Sequence, residues 1–197
     1  MTNWNNNNKI LIGQTFYINS VNFTINKRFN TNQSTWYIYE SSSKIKGNNI
    51  LAKVIPKRYK WVAKSTINSE TELFKKASDA GISPMYHGLI SNIDYNIIFM
   101  EKWGDGSLAD LFKRNQSLRN NVSIKKSVLK LIDDIHAAGI VHKDLHIHNI
   151  LYKKTNNKIE LKVIDFGNAK LLKNGNKLKK ELLPCCCGKY NVSVPNR

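Results

Sequence analysis

The sequence predicts an α+β protein of two lobes, in which a five-stranded antiparallel sheet with one helix precedes a short, mainly helical lobe. Residues 1–100 contain several short segments rich in aromatic and β-branched residues, as is typical of strands joined by turns. Residues 122–138 instead repeat apolar residues at the spacing of a buried helix face. We expect a partly disordered N-terminal extension over 1–22, the first lobe over 23–100 and the second over 101–197.

The composition is that of an ordinary globular protein, with 41% hydrophobic and 23% charged residues in a chain of 197. No apolar run reaches the roughly 20 residues that a membrane-spanning helix needs. The start, Met1–Trp4 followed by a run of Asn, lacks the basic and then apolar form of a signal peptide. We therefore expect an intracellular protein, cytoplasmic or delivered into a host cell, outside the secretory pathway. The three consecutive cysteines, 185–187, are expected to be reduced thiols.

The formal net charge of +17 leaves two interpretations open. A basic protein of this kind can bind nucleic acid. Alternatively, the charge reflects a general preference for Asn, Lys and Ile, because the lysines are scattered and dense only over 170–189. Positive charge would also favour anionic ligands such as nucleotides.

The elements of the first lobe follow from local composition. Strands are predicted over 23–29, 36–39, 50–55, 86–90 and 95–100, with room for an extra strand within 10–18. The Ser-, Gly- and Asn-rich segment 41–49 is predicted to be a turn connection. Between the third and fourth predicted strands, Lys64–Ala80 has the pattern of a helix, which Gly81 would end.

The second lobe begins after a connector, 101–106, that contains two glycines. Ser107 is placed to cap a short helix that runs to Arg114. The helix over 122–138 should end at Gly139, a residue suited to the position after a helix. A hairpin is predicted from the apolar segments 150–152 and 159–164.

Two polar clusters follow apolar segments in this lobe. The first is Val-His-Lys-Asp-Leu-His-Ile-His-Asn over 141–149, and the second is Asp-Phe-Gly over 165–167. Asp144 could orient a hydroxyl and take its proton. The oxygens of Asn149 and Asp165 are ligands that suit a hard cation such as Mg²⁺.

Together these clusters resemble the H-x-D-L-x-x-x-N catalytic loop and the D-F-G motif of the protein-kinase-like superfamily. The resemblance covers about residues 23–170. It implies a bilobal kinase fold that binds ATP and Mg²⁺, with Asp144 as catalytic base and with Asn149 and Asp165 as metal ligands. We expect Gly167 to allow a sharp turn of the backbone after Phe166.

The resemblance also assigns an ion pair in the first lobe. Lys53 lies within an apolar strand, where a charge is costly unless it is paired. The family pattern implies that Lys53 contacts the ATP phosphates and pairs with a helix glutamate, for which Glu70 fits the spacing better than Glu72. Lys57 is a weaker rival to Lys53, because it follows Pro56.

A further set of residues is implied to bind adenine. Met100 resembles the residue at the back of the adenine pocket, and Glu101 and Trp103 would offer backbone groups to the base. Ala52 would line the pocket and Leu151 would form its floor.

The sequence departs from the family pattern in three places. The stretch 29–37, where a glycine-rich loop is expected, contains no glycine, so we expect weaker or slower use of nucleotide. The second departure is in the catalytic loop and concerns two residues. Lys143 stands where many regulated kinases have Arg, which makes regulation by loop phosphorylation less favoured. His146 replaces the usual Lys, as in aminoglycoside and choline phosphotransferases, and could itself contact a transferring phosphate.

The third departure is that only 30 residues follow Gly167. We expect a short C-terminal lobe with exposed apolar surface that a partner chain could cover. The favoured function is a minimal ATP-dependent serine/threonine protein kinase with a protein substrate. Three alternatives stay open: a small-molecule kinase, a nucleotide-binding pseudokinase that acts by binding a partner, and a basic RNA-associated protein.

Overall fold

The computed structural model describes residues 11–18, 20–29, 37–45, 47–57, 64–156 and 158–172. The Asn-rich start, most of the glycine-free stretch 29–37 and the three cysteines lie outside the described residues. Contacts divide the chain into two compact units. The first comprises Met1–Ala63 and Met85–Lys102, and the second comprises Lys64–Pro84 and Trp103–Arg197. The helix that we expected in the first lobe therefore groups with the second unit, while the lobe boundaries themselves stay a prediction.

The first unit is built on an antiparallel sheet, which confirms the predicted fold class. Its strands are β1 Thr15–Ile18, β2 Val21–Phe29, β3 Tyr37–Ile45, β4 Asn48–Pro56, β5 Tyr86–Ser91 and β6 Tyr95–Glu101. Their order in the sheet is β1-β2-β3-β4-β6-β5. The sheet has one strand more than the five predicted, because β1 pairs with β2 and the hydroxyls of Thr15 and Thr24 form a 2.8 Å hydrogen bond across them.

The prediction of a turn connection over 41–49 was wrong. Strand β3 continues to Ile45 and β4 begins at Asn48, so the connection is much shorter. The register shifts between Glu40 and Lys44, which marks a bulge in the serine-rich part of β3. Strand pairing with β4 outweighs the preference of the serine residues for turns, and the bulge accommodates the shift in register.

The core of the first unit lies on one face of this sheet. Phe23 and Phe99 are fully buried there, and their ring centroids are 5.0 Å apart. Tyr39 and Ala52 belong to the same cluster. Burial of such aromatic side chains is a main source of folding free energy.

Within the described residues, the second unit contains three α-helices and several short strands. The helices are α1 Lys64–Asp79, α2 Leu108–Arg114 and α3 Val122–Ala137, with a 3₁₀ helix over Gln116–Asn120. The strands are β7 Gly106–Ser107, β8 Ile140–Val141, β9 Ile150–Thr155, β10 Lys158–Val163 and β11 Lys170–Leu171. They form one sheet in the order β10-β9-β7 and a second that pairs β11 with β8.

Helices α2 and α3 begin and end as their sequences predict. The hydroxyl of Ser107 accepts from the Asp110 amide at 3.2 Å, and the Asp110 carboxylate accepts from the Ser107 amide at 2.9 Å. This capping box satisfies amides that a helix start leaves unpaired. At the end of α3, Gly139 has a φ of 70°, the left-handed conformation that favours glycine.

The stripe predicted for α3 faces the interior of the second unit. Ile124, Leu131, Ile132 and Ile135 are buried, whereas Val128 is only partly buried. His136 joins the buried face. None of the helices within the described residues is long and apolar enough to span a membrane.

Two leucines on α3 allow a matched test of this packing. Leu131 is 4% exposed and Leu129 is 40% exposed. We expect Leu131→Ala to lower the free energy of unfolding by about 2–5 kcal/mol, because it removes buried methyl groups and leaves a cavity. Leu129→Ala should cost less than about 1 kcal/mol. Urea unfolding of both variants checks this, and equal losses would contradict the assigned face.

Candidate functional site

The loop over 142–149 connects β8 to β9 in the second unit, and several contacts hold its backbone. The Ala109 amide at the start of α2 donates to the Ile147 carbonyl at 3.1 Å. Leu145 is 3% exposed and anchors the loop in the core. Lys143 has a φ of 65°, a left-handed conformation that costs a non-glycine residue about 1–2 kcal/mol. Strain of this kind is often found at functional sites.

Asn149 is buried and links Asp144 to the residue before Asp165. Its side-chain Nδ2 donates to the Asp144 carbonyl at 2.9 Å, which leaves its Oδ1 as the atom suited to a cation. Its own carbonyl accepts from the Ile164 amide at 2.9 Å. Ile164, the residue before Asp165, is thereby hydrogen-bonded to Asn149 at the end of the loop.

The carboxylate of Asp144 reaches solvent, with 42% of its side chain accessible. Asn168 Nδ2 donates to its Oδ2 at 3.3 Å, and His146 Nε2 lies 3.8 Å from its Oδ1. Sequence reasoning did not single out Asn168. The only feature of the sequence that could have indicated Asn168 is its place as a polar residue directly after Asp-Phe-Gly.

A pair of histidines lies beside this carboxylate. The rings of His146 and His148 meet edge to face, with centroids 5.6 Å apart. Burial lowers the pKa of His148, and the charge of protonated His146 lowers it further, while Asp110 partly opposes both. His148 is therefore held toward its neutral form.

Phe166 of the Asp-Phe-Gly segment is buried between two elements of the second unit. Its ring stacks on Phe74 of α1 with centroids 5.8 Å apart, and it meets His142 at 5.2 Å. His142 Nε2 in turn donates to the Ile164 carbonyl at 3.0 Å. We define this packing of Phe166 against Phe74 and His142 as the Phe166 seat, and it joins α1, the loop and the Asp-Phe-Gly segment.

The turn expected after Phe166 is present, because the Ala169 amide donates to the Phe166 carbonyl at 3.0 Å and closes a turn over Gly167 and Asn168. Asp165 has a φ of 68°, whereas Gly167 is not in the left-handed region. A Cβ built on Gly167 would lie 3.5 Å from Asp165 Oδ1 and 3.8 Å from Glu70 Oε2, which are ordinary contacts. The left-handed residue of the segment is therefore the candidate metal ligand Asp165, and the carboxylates of Glu70 and Asp165 both lie near Gly167.

Glu70 and Glu72 have different surroundings on α1. Glu70 is 7% exposed and lies one turn before Phe74, on the face that packs inward. Glu72 is exposed. The structure thus places Glu70, rather than Glu72, inside the second unit.

Lys53 lies in β4 of the first unit and is 7% exposed, whereas Lys57 is exposed beyond the strand. Lys53 pairs with Ile98 and Leu51 pairs with Met100, so these four residues share one face of the sheet. Successive strand residues point to opposite faces.

Ala52 therefore lies on the other face of β4, in the core cluster with Phe99. The expectation that Ala52 lines the adenine pocket stays a prediction, and strict alternation along β4 places Leu51 rather than Ala52 on the face that carries Lys53.

Glu101 and Lys102 end the first unit and are tightly tied to its sheet. The Glu101 amide donates to the Met85 carbonyl at 2.8 Å. The Lys102 amide donates to the Asn49 carbonyl at 2.7 Å, and its Nζ donates to Glu40 at 2.5 Å. This bond to Lys102 lowers the pKa of Glu40.

Trp103 and Leu151 belong to the second unit. Lys162 Nζ lies 5.2 Å from the centroid of the Trp103 ring, in cation–π contact. Leu151 is half-buried in β9 opposite Ser107. Gly104 follows Trp103 with a φ of 79°, and a Cβ there would meet the Tyr152 carbonyl at 2.5 Å, so only glycine fits.

These site residues lie in a segment that matches a known protein family. Residues 37–190 match the family model described as Protein kinase domain. The chain belongs to the protein kinase family. The loop over 142–149 and the Asp-Phe-Gly segment are therefore the kinase motifs that the sequence resembled.

Curated kinases are similar over part of their length. Probable serine/threonine-protein kinase fnkE of Dictyostelium discoideum is 30% identical over 121 residues, which are 58% of this chain and 9% of that protein. Probable serine/threonine-protein kinase 2 of Plasmodium falciparum is 27% identical over 153 residues, or 76% of this chain and 29% of that protein. The chain thus spans less than a third of either relative.

A solved structure supports the fold. The Cydia pomonella granulovirus kinase PK-1 matches with a TM-score of 0.55 and 20% identity. The match covers 76% of this chain and 52% of the viral one. At this identity, the likeness shows a shared kinase fold.

The residues of the kinase motifs have the chemistry that a magnesium site requires. Within the described residues, no three His, Cys, Asp or Glu side chains cluster as a metal site of their own. Mg²⁺ in nucleotide sites is held by one or two protein oxygens together with substrate phosphates. Asp165 and the amide oxygen of Asn149 fit that donor set.

The pKa of His148 gives a direct test of the loop geometry. Asp110→Asn should lower this pKa further, because it removes the charge that opposes the shift, while the amide can still cap α2. His146→Gln should raise it. Ring-carbon NMR titration measures both, and shifts of the opposite sign would contradict the arrangement. Since folding lowers this pKa, acidification through the ordinary histidine range should destabilise the protein.

Proposed function

We propose that the chain is an ATP-dependent protein kinase that transfers the γ-phosphoryl group to a serine or threonine hydroxyl of a protein substrate. The observation that carries the proposal is the surroundings of Asp144. Its carboxylate is exposed on a loop whose backbone is fixed by Asn149 and Leu145. A group that must meet an external hydroxyl requires both access and a rigid support.

In this proposal Asp144 orients the acceptor hydroxyl and takes its proton. The hydroxyl oxygen forms a bond to the γ-phosphorus as the bond from that phosphorus to the β-phosphate oxygen breaks, and ADP leaves. Mg²⁺ would supply charge neutralisation at the phosphates when it is bound. Asp165 and Asn149 would hold it, and the tie between Ile164 and Asn149 supports the spacing of these two ligands.

The roles of the remaining residues come from family membership. Lys53 would contact the ATP phosphates and Glu70 would be its partner. The burial of both charges within their own units is consistent with these roles, because a buried charge requires compensation. We propose Met100, Glu101, Trp103 and Leu151 for adenine binding, with Leu51 in place of Ala52.

One observation favours a second candidate, a small-molecule kinase. His146 lies next to Asp144 and is 28% exposed. A histidine at this position of the loop resembles aminoglycoside and choline phosphotransferases. A histidine there could donate to an acceptor or to the transferring phosphate. The partner chain, the binding of nucleic acid and an intracellular location stay predictions.

Matched aspartate substitutions test the proposed function. Asp144→Asn and Asp165→Asn each replace a carboxylate by an amide of the same size. We expect phosphate transfer from radiolabelled ATP with Mg²⁺ to fall by about 100-fold or more in both. Asp133→Asn, an exposed aspartate on α3, is the control and should stay within about twofold of wild type.

Assays with different phosphate acceptors distinguish the protein kinase from the small-molecule kinase. Transfer to serine and threonine peptides supports the proposal, and transfer to small alcohols alone would favour the second candidate. Nucleotide binding without any transfer would indicate a pseudokinase and would overturn both.

A further inference from the structure

Packing alone does not fix the orientation of the Asp144 side chain. Its backbone is fixed, because Asn149 Nδ2 binds its carbonyl and the next residue, Leu145, is buried. Its side chain, however, is 42% exposed. A carboxylate on a fixed backbone can still rotate, and rotation moves its oxygens away from the geometry that proton transfer requires. A polar contact must therefore select one rotamer.

Asn168 makes that contact. Its Nδ2 donates to Asp144 Oδ2 at 3.3 Å, slightly longer than a typical hydrogen bond of this kind. His146 Nε2, at 3.8 Å from Oδ1, is beyond hydrogen-bond distance. Among the hydrogen bonds described for this part of the chain, the bond from Asn168 is the one that holds the carboxylate.

The backbone on both sides of Asn168 is itself fixed against the loop. The Ala169 amide donates to the Phe166 carbonyl at 3.0 Å and closes a turn around Asn168. Lys170 then pairs with Val141, directly before the loop. On the other side, Phe166 lies in the Phe166 seat. Asn168 is exposed, so this position has no packing role that would require an amide.

We propose that Asn168 is a positioning residue for Asp144, which binds one carboxylate oxygen and leaves Oδ1 to receive the proton of the acceptor hydroxyl. This inference rests on the proposed function of Asp144. It also links the two kinase motifs, because the orientation of the base then depends on the position of the segment that carries Asp165. Displacement of that segment would misplace both groups together.

Three variants test the role of the amide. Asn168→Leu removes the donor at similar size, Asn168→Gln keeps it on a longer side chain, and Asn120→Leu is the control at an exposed position of the same unit. We expect Asn168→Leu to lower kcat about 10- to 100-fold while KM for ATP changes less than about threefold. Asn168→Gln should recover to within about fivefold of wild type, and Asn120→Leu should match wild type.

A second readout is independent of activity. The side-chain carboxyl ¹³C resonance of Asp144, assigned through Asp144→Asn, should shift in Asn168→Leu and stay in place in Asn120→Leu. An unchanged resonance, or a kcat of Asn168→Leu within twofold of wild type, would overturn the proposal. If wild type transfers no phosphate, the proposed function fails, and the resonance still decides whether Asn168 holds the carboxylate.

Discussion

The Phe166 seat is the interaction on which the rest of the site depends. Phe166 is 2% exposed and packs on one residue of α1 and one of the catalytic loop. Its burial brings three separate stretches of sequence into contact. The hydrogen bonds at Ile164, to His142 and to Asn149, then set the position of Asp165 relative to the loop. Aromatic packing of this kind is worth a few kcal/mol, enough to hold a strained backbone at Asp165.

The site therefore combines buried residues that fix the loop backbone with polar side chains that reach solvent. Leu145, Asn149 and Phe166 are buried and fix the backbone, while Asp144 and His146 reach solvent. The side chain of Asp144 is 42% exposed, so burial alone does not fix its orientation. Polar contacts from neighbouring segments are the remaining means of orienting it, and Asn168 supplies one.

Local patterns predicted the features that depend on local physics. The buried stripe of α3, the cap at Ser107 and the two kinase motifs follow from spacing and residue type, and the structure contains the helices and the cap. The prediction failed where distant segments compete with local preference. Sheet pairing extended β3 through a serine-rich stretch, and the left-handed conformation of Asp165 was not predicted. The alternation of β4, which places Leu51 rather than Ala52 on the face of Lys53, was not applied. The bond from Asn168 to Asp144 joins residues that no local pattern relates.

The most direct test of this account is amide hydrogen exchange in wild type and Phe166→Ala. The amides of Ile164 and Ala169 donate to Asn149 and Phe166, whereas the amide of Ile25 donates to Gln14 in the first unit. If the Phe166 seat organises the site, Ile164 and Ala169 should exchange about tenfold faster or more in the variant while Ile25 keeps its rate. Unchanged protection at Ile164 and Ala169 would show that the two kinase motifs hold their positions without Phe166, and would contradict the account.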